Sequence, residues 1–483
     1  MKNNKTIKEN FDFAFENHKK NNLEIAGKIY KKILEIDPNH FPSTVLLGTL
    51  SAQTKNFALA IQLLEKGIKI NPNHPEAHYN LGLVFNELVD FEKAITYYEK
   101  AIEIKPNYAD AYNNLGRIYT ELGDFQKARN CYEQAIKFQP GNLGYFYALS
   151  YFKKEILNPN LRNSIEKIIN DNNCTKRNMA YGNYLLAMCE SKEKNYEKEI
   201  DYLIKAHTYY FESKKEKFSK EMKYYFDVLP NINKLISLNK SNKNHHKINP
   251  IFIIGVPRCG STLVEKVIAS GARHIPIGEE TSILDIFIKQ KIEKKQLLNF
   301  NKENFQMELL EAYNHKGLVQ ESSGYTFTDK SLENFFYISF IKEIFPNAKV
   351  VNCRRNALSS IMSIFRNNML LLGWAHNLEY IFKYFDIYYR MVENFKKIFP
   401  NFIYELQLEK FVDNPEIESK KLLKYCNLPW DKKCLEFYKR KDFISKTASN
   451  VQIREAIYKR SLDKYLPYKK FLDKYANKYS WFN

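Results

Sequence analysis

From residue 8 to 143, apolar residues recur at helical spacing, and the whole pattern repeats every 34 residues. Pro38, Pro72, Pro106 and Pro140 share that interval, as do Gly48, Gly82 and Gly116. So do Ala26, Ala60, Ala94 and Ala128, and also Leu23, Phe57, Phe91 and Phe125. Each period reads as a pair of helices. Small residues let the two helices approach, an aromatic fills the groove between them, and the Pro stops one helix before the next unit. About four such units fit by that period. Past Gly144 the interval decays, but Ala187, Tyr196, Leu203 and Ala206 keep the relative offsets of Gly82, Phe91, Tyr98 and Ala101. Glu199 stands there in place of the packing Ala94, which predicts a looser or capping unit, and residues 144 to about 235 continue the helical array.

The pattern changes near residue 250. Ser237–Asn249 is polar and without periodicity, as a linker would be, and His245-His246 within it read as solvated. Ile251 to Ile254 form a continuous β-branched and aromatic run, which predicts a strand buried on both faces. A Gly-bearing turn follows, and then Leu263, Val264, Val267 and Ile268 at helical spacing. Tyr325–Lys330 predicts a second strand, Ser331–Phe345 a helix, and Asn347–Asn352 a third strand ending at Cys353-Arg354-Arg355. In open parallel sheets ligands lie outside the carboxyl ends of the strands, so that ending marks candidate chemistry. The expected organisation is multidomain: an all-α repeat solenoid over 1–236, a linker over 237–249 and an α/β domain with a central parallel sheet over 250–483.

Composition narrows the partners. Hydrophobic residues at 44% and aromatics at 15% suit folded domains, and the net charge of +19 favours anions. Lysines are spread along the helices without interleaved aromatic clusters, which argues against a nucleic-acid surface. Cysteines 131, 174, 189, 259, 353, 426 and 434 are odd in number and form no C-x-x-C pair. Reduced thiols in a cytoplasmic setting are expected, with neither zinc site nor disulfide framework. The charged start Met1-Lys-Asn-Asn-Lys-Thr predicts no secretory leader, and no run approaches the ~18 apolar residues of a membrane span.

The turn Gly255-Val-Pro-Arg-Cys-Gly-Ser-Thr262 couples a strand to a helix N-terminus, where free N–H groups and the helix dipole favour phosphate. Its glycines have the spacing of G-x-x-x-x-G-K-[ST], but Ser261 replaces the lysine that would reach a β/γ-phosphate, and the cation sits at Arg258 instead. The 34-residue unit resembles the tetratricopeptide repeat. Pro257-Arg258-Cys259-Gly260-Ser261-Thr262 resembles the 5′-phosphosulfate loop of sulfotransferases, making the second domain P-loop-like. Gly278-Glu279-Glu280-Thr281 resembles the phrase that carries the catalytic base in protein-tyrosine sulfotransferases. Asp329-Lys330-Ser-Leu-Glu-Asn334 resembles an Asp-Lys-x-x-x-Asn phrase of bacterial repeat-bearing members, and Arg355 with Ser363 eight residues on resembles the 3′-phosphate motif. Further on, Leu408 stands where the family has Tyr, and Ala456 where it has Pro.

The resemblance implies transfer of a sulfuryl group from 3′-phosphoadenosine 5′-phosphosulfate (PAPS) to an acceptor hydroxyl, with adenosine 3′,5′-bisphosphate (PAP) as product and no metal. It implies Arg258, Cys259, Gly260, Ser261 and Thr262 at the 5′ side and Arg355 and Ser363 at the 3′-phosphate. Ser449 and Arg454 would close over the nucleotide. Glu280 becomes the base, with Glu279 its fallback, and Lys330 and Arg258 steady the transferred charge. A hydroxyl of pKa ~10 or above must lose its proton as it attacks, which is the reason for a positioned carboxylate. Trp374 and His376 read as core or surface residues. The acceptor stays open between peptide tyrosine, glycan and small molecule; a peptide or protein on the repeat surface and a homodimer are further expected partners. A non-catalytic repeat scaffold is the alternative reading.

Overall fold

In the computed structural model the described residues are 6–235, 248–293, 301–440, 454, 456–457 and 463–482. The chain forms two compact units, Met1–Ile156 and Leu157–Asn483. The first is built from four helix pairs at the expected period: Ile7–Lys19 with Leu23–Ile36, Phe41–Gln53 with Phe57–Ile70, Pro75–Glu87 with Phe91–Ile104, and Ala109–Leu122 with Phe125–Phe138. The helix Leu143–Ser150 follows them. Asn56, Asp90 and Asp124 cap the second helix of their pairs, each side chain accepting from the N–H three residues on. Ala26, Ala60, Ala94 and Ala128 are fully buried, and the Tyr98 ring lies so close to Gly82 that a Cβ there would come within 2.6 Å of it.

The second unit begins with more helices, among them Pro159–Ile169, Lys176–Lys192, Tyr196–Ser213 and Lys215–Lys223. Division by packing therefore falls at Ile156, well ahead of the expected linker, most of which lies outside the described residues with His245 and His246. These helices are fastened to the part that follows. Glu199, 2% exposed, pairs with Arg366 at 2.8 Å and accepts the Tyr468 hydroxyl at 2.6 Å. His207 Nε2 donates to the Phe365 carbonyl at 2.7 Å, and burial pushes the His207 pKa down to about 4. His376, 4% exposed, lies against His207, and Trp374, 1% exposed, stacks on Tyr384, so both are core residues.

Four parallel strands form the sheet: β1 Asn249–Gly255, β2 Thr326–Asp329, β3 Lys349–Arg354 and β4 Ile403–Gln407, in the order β2-β1-β3-β4. Consecutive residues Pro250–Gly255 and all of β2 are buried, so both sheet faces are covered; β1 does this with an apolar run, whereas β2 buries Thr326, Thr328 and Asp329 around Phe327. The predicted helix Ser331–Phe345 is a 3₁₀ stretch, Leu332–Tyr337, running into Ile338–Ile344. The chain leaves β1 for β2 on one side and returns past β1 to β3 on the other. That reversal opens a crevice at the carboxyl ends of β1 and β3, where ligands bind in such sheets.

Candidate active site

Two loops meet in that crevice. After β1 the chain turns through Arg258, at φ 69°, and Gly260, at φ 93°, into the helix Ser261–Ala269. Gly260 is needed twice, for its left-handed backbone and because a Cβ would come within 2.7 Å of Leu408. Leu408 thus packs beneath the loop glycine. After β3 comes the helix Ala357–Phe365, capped by Asn356, whose side chain accepts the Ser359 N–H at 3.0 Å. Ser360 and Ser363, three apart, share one face of it.

The loops are joined directly. The Arg258 carbonyl accepts from Arg355 Nη1 at 3.2 Å and from Ser360 Oγ at 3.4 Å, and Arg258 Nε donates to Ser363 Oγ at 3.0 Å. Arg258 and, about a hundred positions on, Arg355 and Ser363 thus form one constellation. Ser261 and Thr262 open the helix beside it, both buried. Cys259 is fully buried too; its N–H closes the turn on the Val256 carbonyl at 3.3 Å, and its thiol meets that of Cys353, which burial holds protonated. This side chain faces the sheet rather than the crevice. Arg454 is half-buried, with its pKa lowered by burial, and Ser449 lies outside the described residues.

A second group gathers at the end of β2. The stretch before Glu279 runs alongside that strand, with Thr328 N–H donating to the Pro276 carbonyl and Lys330 N–H to that of Gly278, both at 3.0 Å. Gly278 N–H donates to Thr328 Oγ1 at 3.1 Å. Lys330 Nζ lies 3.4 Å from Glu280 Oε1 and 3.9 Å from Glu279 Oε1. Lys330 is 1% exposed, Glu279 11% and Glu280 55%, so the cation is enclosed while Glu280 faces solvent. Burial alone would lower the Lys330 pKa; the charges of Glu280, Glu265 and Glu279 outweigh it and leave the pKa raised. The ammonium is therefore kept charged despite its enclosure.

Sequence reasoning missed what holds this group in place. Asp329, fully buried, accepts from Thr281 Oγ1 at 2.8 Å, Tyr313 OH at 2.7 Å, Ser331 Oγ at 2.7 Å and Asn334 Nδ2 at 3.2 Å. Glu280 and Ser282, both at φ 50°, sit in a tight turn tied down by Ser282 N–H to Ser331 Oγ at 2.8 Å. Ser360 was missed as well, although its spacing from Ser363 was the available signal. A cleft of about 740 Å³ lies elsewhere, at the amino ends of the strands, between Arg273, Lys342, Lys349, Phe402 and Tyr425. Helices Ile338–Ile344, Leu378–Ile398 and Pro415–Tyr425 end around it, and its cations match their carbonyl ends. Among the described residues no three His, Cys, Asp or Glu side chains are grouped as a metal site, and no helix is long and apolar enough to cross a membrane.

In comparison with known proteins, residues 250–432 match the model of the sulfotransferase family, and residues 74–140 and 52–89 match tetratricopeptide repeat models. The chain carries a sulfotransferase-family domain behind tetratricopeptide repeats. An uncharacterized protein of Aquifex aeolicus is 29% identical over 64% of this chain and 42% of its own length. Protein-tyrosine sulfotransferase A of Caenorhabditis elegans is 24% identical over 41% of this chain and 54% of its own. The chain thus spans about half the length of these curated relatives. Among solved structures, a crystal structure of MamA is 23% identical, covering 42% of this chain and 96% of its own, at a TM-score of 0.27. YrrB, described as a TPR protein with an unusual peptide-binding site, is 20% identical over 41% of this chain and 84% of its own, at 0.26.

Proposed function

We propose that the second unit moves a sulfuryl group from PAPS to an acceptor hydroxyl, and that the acceptor is a peptide tyrosine. The observation that carries this reading is Arg258 bonded through its carbonyl to Arg355 and through its side chain to Ser363, which supports both ends acting on one nucleotide. When bound, PAPS supplies an activated sulfuryl group on a phosphate leaving group. Backbone N–H groups around Gly260, Ser261 and Thr262 hold the 5′-phosphate side, with Cys259 contributing backbone only, and Arg355 and Ser363 hold the 3′-phosphate. Arg258 and Lys330 steady negative charge that grows on the transferred and leaving oxygens. Glu280, the more exposed of the two glutamates, takes the acceptor proton on a side-chain oxygen. Ser449 and Arg454 would complete the nucleotide cover by family likeness. The tyrosine acceptor is supported by the Gly278–Thr281 phrase and by the name of the Caenorhabditis relative, and the repeats would bind a peptide or protein.

Calorimetry with PAP tests the donor site: tight binding without added metal is expected. Absence of binding would leave a repeat scaffold, and preference for ATP with Mg²⁺ would indicate a kinase. Glu280→Ala should lower sulfate transfer to a tyrosine peptide at least 100-fold, in the range of general-base catalysis, while PAP affinity stays within about twofold. Unchanged turnover would remove Glu280 from the base role.

A further inference from the structure

Glu265 lies in the helix directly behind the phosphate-type loop and takes no part in the scheme above. It is fully buried, as is Lys266 beside it. Its Oε1 accepts from Thr328 Oγ1 at 2.8 Å, while Oε2 has no hydrogen-bond partner among the described residues. Thr328 in turn accepts the N–H of Gly278, so Glu265 is the inner end of a chain of bonds leading to Glu279 and Glu280. Two residues beyond Thr328, just past the end of β2, is Lys330. The charged groups acting on Glu265 are Lys330 from the end of β2, Glu279 from the stretch beside it and Lys266 from its own helix.

A buried carboxylate with one oxygen unbonded is costly as an anion, and burial pushes Glu265 up to about 7 despite the two lysines. Ionised, Glu265 joins the carboxylates of Glu279 and Glu280 facing Lys330 and Lys266, with Arg440 acting on Lys266; protonating Glu265 removes one negative charge from this group. A phosphate or sulfuryl group arriving beside Lys330 adds negative charge to the same low-dielectric cluster, and like charge favours the neutral acid.

We propose that Glu265 is a proton-linked positioning residue of the donor site, taking up a proton when an anionic nucleotide binds at the Arg258 loop. This rests on the donor-site reading given above. Linkage fixes the sign. If the nucleotide raises the pKa of Glu265, protonated Glu265 raises nucleotide affinity by the same factor. Affinity is then highest at and below pH 7 and falls as pH rises above it, by up to tenfold per unit until the bound-state pKa is reached.

The test is titration of the full chain with PAP at pH 8 in buffers of differing ionisation enthalpy, which counts protons taken up. Wild type should take up a substantial fraction of a proton more than Glu265→Gln, and the variant should bind PAP at pH 8 five- to tenfold more tightly, with a flat profile from pH 6.5 to 8.5. Thr328→Val, which removes the hydroxyl that stabilises the carboxylate, should shift the fall in affinity to higher pH; it serves if Glu265→Gln does not fold. Equal proton uptake in wild type and Glu265→Gln, or a wild-type affinity independent of pH over that range, overturns the role of Glu265 while leaving the donor site standing. Failure of wild type to bind PAP at any pH removes the donor site and this inference together.

Discussion

The carboxylate of Asp329 accepts from side chains on three separate segments: Thr281, Tyr313, and Ser331 with Asn334. Resemblance placed Asp329 in a motif with Lys330 but gave it no work, because a residue whose partners are far away in sequence has no periodic signature. The bonds state the work: Asp329 fixes Thr281, and Thr281 is the next residue after Glu280. Replacing it with Ala would strand several buried donors at once. Each such bond to a charged acceptor is worth about 1.5–3 kcal/mol, and since relaxation recovers part, a net loss on the order of 3–5 kcal/mol is expected for Asp329→Ala. A urea denaturation midpoint reads it directly, and a loss under about 1 kcal/mol would show that the Glu280 turn is held by its backbone alone. The same blindness applied to Glu265 and Lys266. Between Val264 and Val267 they look like the wet side of an amphipathic helix, yet that helix is buried all round.

At the scale of elements, the helix Ala357–Phe365 presents Ser360 and Ser363 on one face and is anchored at its carboxyl end by Arg366. Arg366 pairs with Glu199 and donates to Ser191 Oγ at 2.6 Å, both from the helix pair Lys176–Lys192 and Tyr196–Ser213. The 34-residue comparison had already singled out Glu199 as the residue replacing a packing alanine and so predicted a looser unit. The geometry gives another reason for the exchange: the carboxylate reaches across to a cation that spacing could not reveal. The two partners differ in exposure, Arg366 at 32% and Glu199 at 2%, so removing them should not cost the same. Arg366→Ala leaves a buried anion with only the Tyr468 hydroxyl, a loss of about 3–5 kcal/mol; Glu199→Gln leaves a cation that can still reach water, and should cost only about 1–2 kcal/mol. Losses under about 1 kcal/mol for both in paired urea titrations would mean that the pair is worth no more than a surface contact.

At the scale of the whole chain, legibility divided along the range of the contacts. The solenoid could be read almost completely, since each repeat packs on its neighbours and the period records that packing. Three of the four strands could also be read, which sets the Arg258 turn, Lys330 and Arg355 at strand ends, whereas β4 Ile403–Gln407 was not. What could not be read was where the second unit begins, since the residues that bind helices 157–235 to the sheet are single side chains without a pattern. Besides Glu199 and His207, Phe218 packs against Gly373, where a Cβ would come within 2.9 Å of it. Truncation separates the two boundaries. A fragment starting at Leu157 keeps every one of these partners and should unfold in one cooperative step and bind PAP within about threefold of the full chain. A fragment starting at Asn249 strips Arg366, Tyr468, His376 and Gly373 of their partners, exposing Trp374 and its neighbours, and should be insoluble or show no cooperative transition. If the shorter fragment instead folds and binds PAP as tightly as the longer one, the helices from 157 to 235 belong with the repeats in function, and the anchoring of the Ser363 helix through Arg366 is dispensable.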